Sequence, residues 1–291
     1  MKILVTGGRG FIGSGLVSAL SAGGHEVVVL SRRSGLNACD PAPGGDLPAA
    51  AHGAEAVISL AGENVAQRWT PAVRQAIRES RVTGTRRLIE ALAQSPPRIF
   101  VSAAATGFYG DRGDEELTES SPAGTGFLAE VCRDWEHAAD AASALGMRVV
   151  KLRLGVVLDP RGGALRKMLP AFRLGLGATL GPGLQWMPWI HRQDAIALLI
   201  AVLENDFAGV YNACAPQPVR NVEFTRALAS AVRRPAVLRI PRFALRAMLG
   251  DMSQLLLASQ RVLPRATEAA GFSFRFRRID AALRDLLDRH P

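Results

Sequence analysis

Cysteine is scarce in this sequence: Cys39, Cys132 and Cys214 are the only three in 291 residues, far apart and odd in number. That argues against a disulfide framework or a zinc knuckle. Long apolar runs are missing as well. The longest, Ala195 to Leu203, has nine residues with Asp194 before it, whereas a bilayer span needs about twenty. Aromatic residues make up only 6%, too few for a base-stacking platform, and the 35 Lys and Arg are spread along the chain. They interleave with acids, as in Arg74, Arg78, Glu79, Arg81 and again in Arg284, Asp285, Asp288, Arg289. Neither nucleic acid nor membrane is therefore an expected partner, while a net charge of +9 favours small anionic molecules. The first residues enter an apolar strand directly, so no leader is expected. A cytoplasmic location is the expectation.

What is present is a chain 48% hydrophobic with Pro and Gly scattered, long enough for one large α/β domain with a smaller subdomain. It is organised around its first segment. Lys2 to Val5 is a short apolar run without alternation, the habit of a strand buried on both faces in a parallel sheet. Gly8-Arg9-Gly10-Phe11-Ile12-Gly13 follows as G-x-G-x-x-G, and Gly7, Gly10 and Gly13 also fit G-x-x-G-x-x-G. A helix-like run and a second strand, Glu26 to Leu30, come next. Glycines there allow a tight turn and close approach of backbone to a pyrophosphate, which the helix N-terminus attracts. The expectation is a dinucleotide site.

In NAD-specific folds a carboxylate about twenty residues past the glycines takes the ribose 2′-hydroxyl. Here the second strand ends in Ser31-Arg32-Arg33, and the nearest acids are Glu26 and Asp40. A hydroxyl and two guanidiniums match a 2′-phosphate, with Arg9 able to join them. The cofactor expected is NADP(H).

Further along, Ala56 to Gly62 reads as a buried strand ending in the small residues expected beside a cofactor, Leu60, Ala61 and Gly62. Thr70-Pro71 has the form of a helix start. Arg98 to Ala104 is a strand containing Ser102, a further cofactor candidate. Gly126 to Leu145 is a helix with Phe127, Val131, Trp135 and Ala138 on one face. Arg148 to Leu158 reads as one strand holding Lys151 and Arg153, of which at least one must find a carboxylate, a phosphate or water. From Pro160 the alternation breaks. Met168, Leu169, Phe172, Trp186 and Trp189 sit among glycines, as a pocket wall or as a subdomain core. Asp194 is the expected N-cap of the helix Ala195 to Leu203. Gly209 to Ala213 reads as a last strand, Phe224 to Val232 and Phe243 to Leu249 as helices. Ile279, Leu283, Leu286 and Leu287 form an apolar face that docks on the body.

The opening pattern resembles the extended short-chain dehydrogenase/reductase superfamily. Leu60-Ala61-Gly62-Glu63, Arg68-Trp69-Thr70, Ser80-Arg81-Val82, Ala105-Thr106-Gly107-Phe108-Tyr109-Gly110, Lys167-Met168-Leu169-Pro170, Trp189-Ile190-His191 and Gln260-Arg261-Val262-Leu263-Pro264 with Gly271-Phe272-Ser273-Phe274 narrow it. They look like the epimerase-like branch with a C-terminal domain of unknown function, some of whose members carry the label of cell-division inhibitors. The resemblance runs from residue 1 to about 288. It implies an α/β Rossmann-type doubly wound parallel sheet with a smaller, mostly helical C-terminal substrate subdomain. The division expected is 1–158, with 190–215 returning to it, against 159–189 and 216–291.

The superfamily's chemistry rests on Tyr-x-x-x-Lys, in which the ammonium lowers the phenol's pKa so that it can exchange a proton. No such pair exists here: Tyr109 and Tyr211 are followed four residues on by Gly113 and Ala215. The matching helix positions are Phe127 and Val131, the orienting Ser is Ala104, and the superfamily Asn is Arg81. Two readings follow. One is an NADP-dependent oxidoreductase of unknown small-molecule substrate, whose proton donor is among Thr106, Tyr109, Cys132 and His191. Thr106 would share a face with Ala104 if the strand continues. Tyr109 equally could pack over the cofactor, Cys132 could belong to the core, and His191 could bond backbone at a helix start. The other reading is a non-catalytic NADPH-binding sensor. Oligomeric state is not legible.

Overall fold

The computed structural model describes residues 1–31, 38–39 and 49–288. In chain order the elements are β1 (Lys2–Thr6), α1 (Gly13–Ala22), β2 (Glu26–Leu30), β3 (Ala38–Cys39), β4 (Ala56–Ser59), α2 (Pro71–Arg78), a π-helical turn (Glu79–Thr83), α3 (Gly84–Leu92) and β5 (Ile99–Ala105). After a 3-10 turn (Thr106–Tyr109) come β6 (Glu116–Leu117), α4 (Phe127–Asp140), β7 (Arg148–Leu154), β8 (Val156–Asp159), α5 (Gly163–Arg173), β9 (Ala178–Leu180), β10 (Trp186–Met187) and β11 (Trp189–His191). The rest is α6 (Arg192–Glu204), β12 (Gly209–Ala213), β13 (Val219–Arg220), α7 (Asn221–Ala231), β14 (Leu238–Ile240), α8 (Arg242–Leu249), α9 (Gln254–Leu257), β15 (Arg261–Val262), α10 (Arg265–Ala269) and α11 (Ile279–Asp288).

The central sheet runs β12-β7-β5-β4-β1-β2-β3, every neighbour parallel. Order reverses at β1, so the crevice between the β1 and β4 ends is the place where α/β sheets of this winding take ligands. Apolar strands without alternation are explained by cover on both faces. Ile3, Val5, Ile58, Val101 and Val150 pack with α1 and α6, while Leu4, Val57, Phe100 and Val149 pack with α3 and α4.

Two polar residues interrupt β7, and α4 explains them. Lys151 pairs with Asp140, and Arg153 donates to both oxygens of Glu136 at 2.7 and 2.8 Å. Residues two apart on a strand share a face, and residues four apart on a helix share a face, so the two pairs stack in register. Arg153 and Glu136 are almost fully buried.

Several expected elements differ in detail. The strand Arg148 to Leu158 is two strands. At Gly155 the backbone turns away to lie against Pro188, where a Cβ would meet the carbonyl at 2.9 Å, and β8 pairs with β11 outside the main sheet. The loop-rich stretch after Pro160 contains α5, which places Leu165, Leu169 and Phe172 in a second core with Trp189, Phe224, Leu283 and Leu287. The subdomain-core alternative therefore describes Met168, Leu169, Phe172 and Trp189, and α11 buries its apolar face there. Trp186 lies outside that core, half-buried, with Arg220 and Arg261 over its ring. Asp194 is not the N-cap of α6. The cap is His191, whose Nδ1 accepts from the Gln193 N–H at 3.0 Å. Asp194 instead accepts the Arg275 and Phe276 N–H groups, fastening the C-terminal segment to the first turn of α6. Thr70 caps α2 with Pro71 behind it, as the dipeptide predicts.

Because Arg153 is desolvated and satisfied chiefly by Glu136, Glu136→Gln strands a buried charge. We expect a loss of about 3–5 kcal/mol in urea unfolding. A loss below 1 kcal/mol, the scale of an exposed pair, would mean that the guanidinium finds water instead.

Candidate cofactor and active site

The glycine loop closes on itself through Gly10 N–H to Gly7 C=O at 2.8 Å, and α1 then opens at Gly13. Gly7 has φ +69°, and a Cβ there would lie 2.9 Å from the Leu60–Ala61 backbone. The loop is thus pressed against the end of β4. At Gly13 a Cβ would stand 2.2 Å from the Gly7 carbonyl, so helix and loop meet backbone to backbone. Gly10 is looser, with only the Gly7 oxygen at 3.0 Å. The first turn of α1 has neither a side-chain cap nor an acid, which leaves N–H groups for an anion.

Around this loop the cofactor candidates take distinct places. Ala61 N–H donates to Thr6 Oγ1 at 3.2 Å, tying the β4 end to the β1 end. Gly62 is exposed beyond it. Thr6, Ser59 and Ser102 stand in one register row across β1, β4 and β5, so Ser102 is level with the ends of the first two strands. It is buried within the sheet, with its hydroxyl 3.1 Å from the Ala103 carbonyl. Phe11 and Ile12 pack on the core below the loop. The Phe11 ring lies against Gly162 and Gly163, and its carbonyl accepts from Arg192 Nε at 2.7 Å. Arg192 also donates to Ser14 and faces Asp159 at 3.6 Å, so α6 braces the loop from behind. Arg9 is exposed over a cleft of about 440 Å³ shared with Gly8, Ser14, Val17 and Val29. Ser31 directly follows β2, and Arg32 and Arg33 lie outside the described residues.

The four proton-donor candidates are not gathered at one point. Tyr109 is fully buried in the turn after β5. It accepts from Arg153 Nη1 at 2.8 Å, and its own proton faces Asn212 Oδ1 at 2.7 Å and the Thr118 carbonyl at 2.9 Å. Burial pushes its pKa up to about 12 against the pull of Arg153. Cys132 shares this cluster with Phe108 and Cys214. Its thiol, facing Gly107, is likewise pushed up to about 12 by burial. Both groups therefore keep their protons at neutral pH. Thr106 does not continue the strand. β5 stops at Ala105, and Thr106 opens the 3-10 turn, buried, so the shared face with Ala104 is lost. His191 is elsewhere, stacked on Phe276 at 3.9 Å beneath α11. Burial pulls its pKa down to about 4 despite Asp285, whose Oδ2 is 3.4 Å from Nε2.

Comparison with known proteins matches this arrangement. The model of the NAD dependent epimerase/dehydratase family covers residues 3–214, and a domain of unknown function, DUF1731, covers 240–286. The chain belongs to the NAD dependent epimerase/dehydratase family. Epimerase family protein MT2273 of Mycobacterium tuberculosis (strain CDC 1551 / Oshkosh) is 43% identical over 288 residues, 97% of this chain and 96% of its own. Epimerase family protein SDR39U1 of Homo sapiens is 36% identical over 297 residues, 99% of this chain and 100% of its own. A crystal structure of the human protein (isoform 2) with NADPH superposes with a TM-score of 0.91 at 35% identity, covering 99% of each chain. The UDP-glucuronic acid 4-epimerase of Bacillus cereus, in complex with NAD, shares the fold at 18% identity, with a TM-score of 0.78 over 99% of each chain.

On α4, the positions read from the sequence as those of Tyr-x-x-x-Lys hold Phe127, which is half-buried, and Val131. Val131 is 1% exposed. It sits in a cluster with Trp69, Ile77, Phe127 and Met252, and Trp69 meets Phe127 edge-on at 5.3 Å. Arg74 lies over both rings and pairs with Asp251. Residues the sequence reading left out of the site are Arg192, Asp159 and Arg81. The first two had no signal beyond a charge beside a strand end. Arg81 was visible only as a departure from the superfamily's Asn.

Gly10→Val is expected to abolish cofactor binding while leaving the fold cooperative, because its Cβ meets one oxygen only. Circular dichroism with calorimetry checks both halves, and unchanged affinity would place the phosphates elsewhere. A second expectation concerns acid. The unfolded chain protonates His191 near 6.5 and the folded chain near 4. Stability from this group is full above 6.5 and is lost as pH falls toward 4, by about 2–3 kcal/mol at pH 4.5. His191→Asn keeps a capping oxygen but cannot titrate, so its urea midpoint is expected to fall less between pH 7 and 4.5. Equal falls would assign the acid sensitivity to other groups.

Proposed function

We propose that this protein binds NADP(H) along the carboxyl edge of its sheet and acts as an epimerase/dehydratase-like oxidoreductase on a small molecule of unknown identity. Residues 1–158 with 190–215 form the cofactor-binding part, and 159–189 with 216–291 form the substrate part. The observation that carries the reading is the loop Gly7 to Gly13, locked against Leu60 and Ala61 at the strand-order reversal and opening an uncapped helix. On this reading Gly7, Gly10, Gly13 and the Phe11 and Ile12 backbone hold the pyrophosphate. Leu60, Ala61 and Gly62 flank the ribose and nicotinamide, above Ser102. Ser31, Arg32, Arg33 and Arg9 take the 2′-phosphate. The human relative solved with NADPH supports the choice of cofactor.

NADPH, when bound, would supply hydride at nicotinamide C4. A matching proton has no donor on the α4 face, where Phe127 and Val131 stand. Thr106 in the β5 turn is the candidate nearest that end of the sheet, whereas Tyr109, Cys132 and His191 hold structural partners. The same apolar face favours a second reading, an NADPH-binding protein without turnover that senses cofactor or recruits a partner. NADPH oxidation in the presence of carbonyl compounds separates the two. Neither reading calls for nucleic acid or membrane, and among the described residues no helix is long and apolar enough to cross one. Buried free thiols at Cys132 and Cys214 fit a reducing, cytoplasmic-type compartment.

NADPH should bind at least tenfold more tightly than NADH, about 1.4 kcal/mol or more. Titration calorimetry with each cofactor decides this, and equal affinities would remove the 2′-phosphate site from the proposal.

A further inference from the structure

Arg81 lies in the π-helical turn between α2 and α3, a local widening that recurs at functional sites. The turn faces the end of β4. Ser80 Oγ accepts the Glu63 N–H at 3.0 Å, and the Arg81 guanidinium lies directly beneath Gly62, where a Cβ would be 3.1 Å from Cζ and Nη2. Below, the guanidinium rests over the Trp135 ring at 5.3 Å, and Trp135 is itself held by Nε1 donating to Thr85 at 3.0 Å. Five N–H donors are thus fixed in place on a rigid platform. Among the described residues they find one weak acceptor, the Ile77 carbonyl at 3.3 Å, and no paired carboxylate. Arg153 shows the contrast, with both Glu136 oxygens and the Tyr109 hydroxyl around it. Burial lowers the Arg81 pKa against an opposing pull from Cys132 and Glu63, which acts by charge alone because no carboxylate forms an ion pair with the guanidinium among the described residues.

We propose that Arg81 is an oxyanion-binding residue of the cofactor edge, held under Gly62 on the β4–β5 side of the strand-order reversal. That side is opposite Arg9 and Ser31, so the oxyanion belongs to the nicotinamide half of the site. Its chemistry is phosphate or carboxylate, from the nicotinamide-side phosphate of the cofactor or from an acidic group on the substrate. The inference rests on the NADP(H) reading above.

The test uses the full chain, as wild type, Arg81→Met and Arg81→Lys. Methionine keeps apolar packing against Trp135 and Gly62 while removing the donors. Calorimetry measures NADPH and adenosine 2′,5′-bisphosphate, which has the 2′-phosphate but not the nicotinamide-side phosphate. Thermal unfolding of the NADPH complexes is followed with inorganic phosphate and with oxalate. We expect Arg81→Met to weaken NADPH at least tenfold, to leave the bisphosphate within twofold, and to be partly rescued in Arg81→Lys. That pattern assigns the oxyanion to the cofactor. Unchanged NADPH affinity, with phosphate or oxalate raising the Tm of the wild-type complex but not of Arg81→Met, assigns it to the substrate. Unchanged NADPH affinity without that Tm difference overturns the proposal. So does equal weakening of NADPH and the bisphosphate, which would mean that Arg81 only props the loop. Wild-type protein that binds neither ligand defeats the cofactor reading itself, a distinct result.

Discussion

A guanidinium buried inside a parallel sheet is the constraint around which this structure is assembled. Arg153 sits on β7 with almost no water, its guanidinium over the Phe108 ring at 3.5 Å, so its N–H groups must find oxygen within the protein. Glu136 comes from α4, the Tyr109 hydroxyl from the turn after β5, and the Glu119 carbonyl from the loop beyond. Tyr109 hands the network to Asn212 on β12, whose amide donates to the Leu263 carbonyl at 3.0 Å. Thr267 donates to the Asn212 carbonyl at 2.9 Å, and Glu119 accepts the Asn212 N–H at 3.0 Å. One cation thereby specifies the seating of a helix, a turn, an edge strand and the start of the C-terminal segment. Such a network discriminates strongly against misregister, because a shift of one residue would leave charges unpaired in a low-dielectric interior.

A second set of polar contacts does the same for the opposite half. Arg192 reaches from α6 to the Phe11 carbonyl and Ser14, with Asp159 behind it, while Asp194 two residues on holds the Arg275 and Phe276 N–H groups. The first turn of α6 therefore joins the glycine loop to the C-terminal segment. His191 at its cap, stacked on Phe276, closes the joint. The glycine loop is rigid for reasons that lie partly in residues far from it in sequence. This pre-organisation lowers the ordering cost that a ligand meets on binding.

What could be read from residues alone follows the range of the forces involved. The strand runs other than Arg148 to Leu158, the glycine loop and the Thr70-Pro71 helix start depend on neighbours in sequence, and each lies where the pattern put it to within a few residues. The requirement that Lys151 or Arg153 find a carboxylate was legible as a necessity, but the partners were not, since Asp140 and Glu136 become neighbours only when α4 packs on β7. The break at Gly155 was hidden because hydrophobic content continues across it, and only the approach to Pro188 demands glycine. Asp194 looked like a cap by residue type. Its carboxylate is recruited by two N–H groups some eighty positions away, leaving the cap to a neutral imidazole, a role that sequence patterns rarely assign to histidine. The helix after Pro160 was obscured by the glycines around it and by Pro170 within it.

The apolar α4 face bears on chemistry through solvation. A phenol beside an ammonium works as a proton donor because both are partly hydrated and the charge is close. At positions 127 and 131 the surroundings are Trp69, Ile77 and Met252, and Val131 has no access to water. An ammonium placed there would lose its proton rather than activate a neighbour. Positive charge has not left this end of the molecule, however. It stands on Arg81, over the Trp135 ring one turn along α4 from Val131, on a side chain that holds its proton at any physiological pH and so can stabilise an anion but cannot exchange a proton. On the proposed reading, the site offers a fixed cation at Arg81, while Phe127 and Val131 supply no titrating pair beside it. Any proton that moves there must come from the β5 turn, the substrate or water.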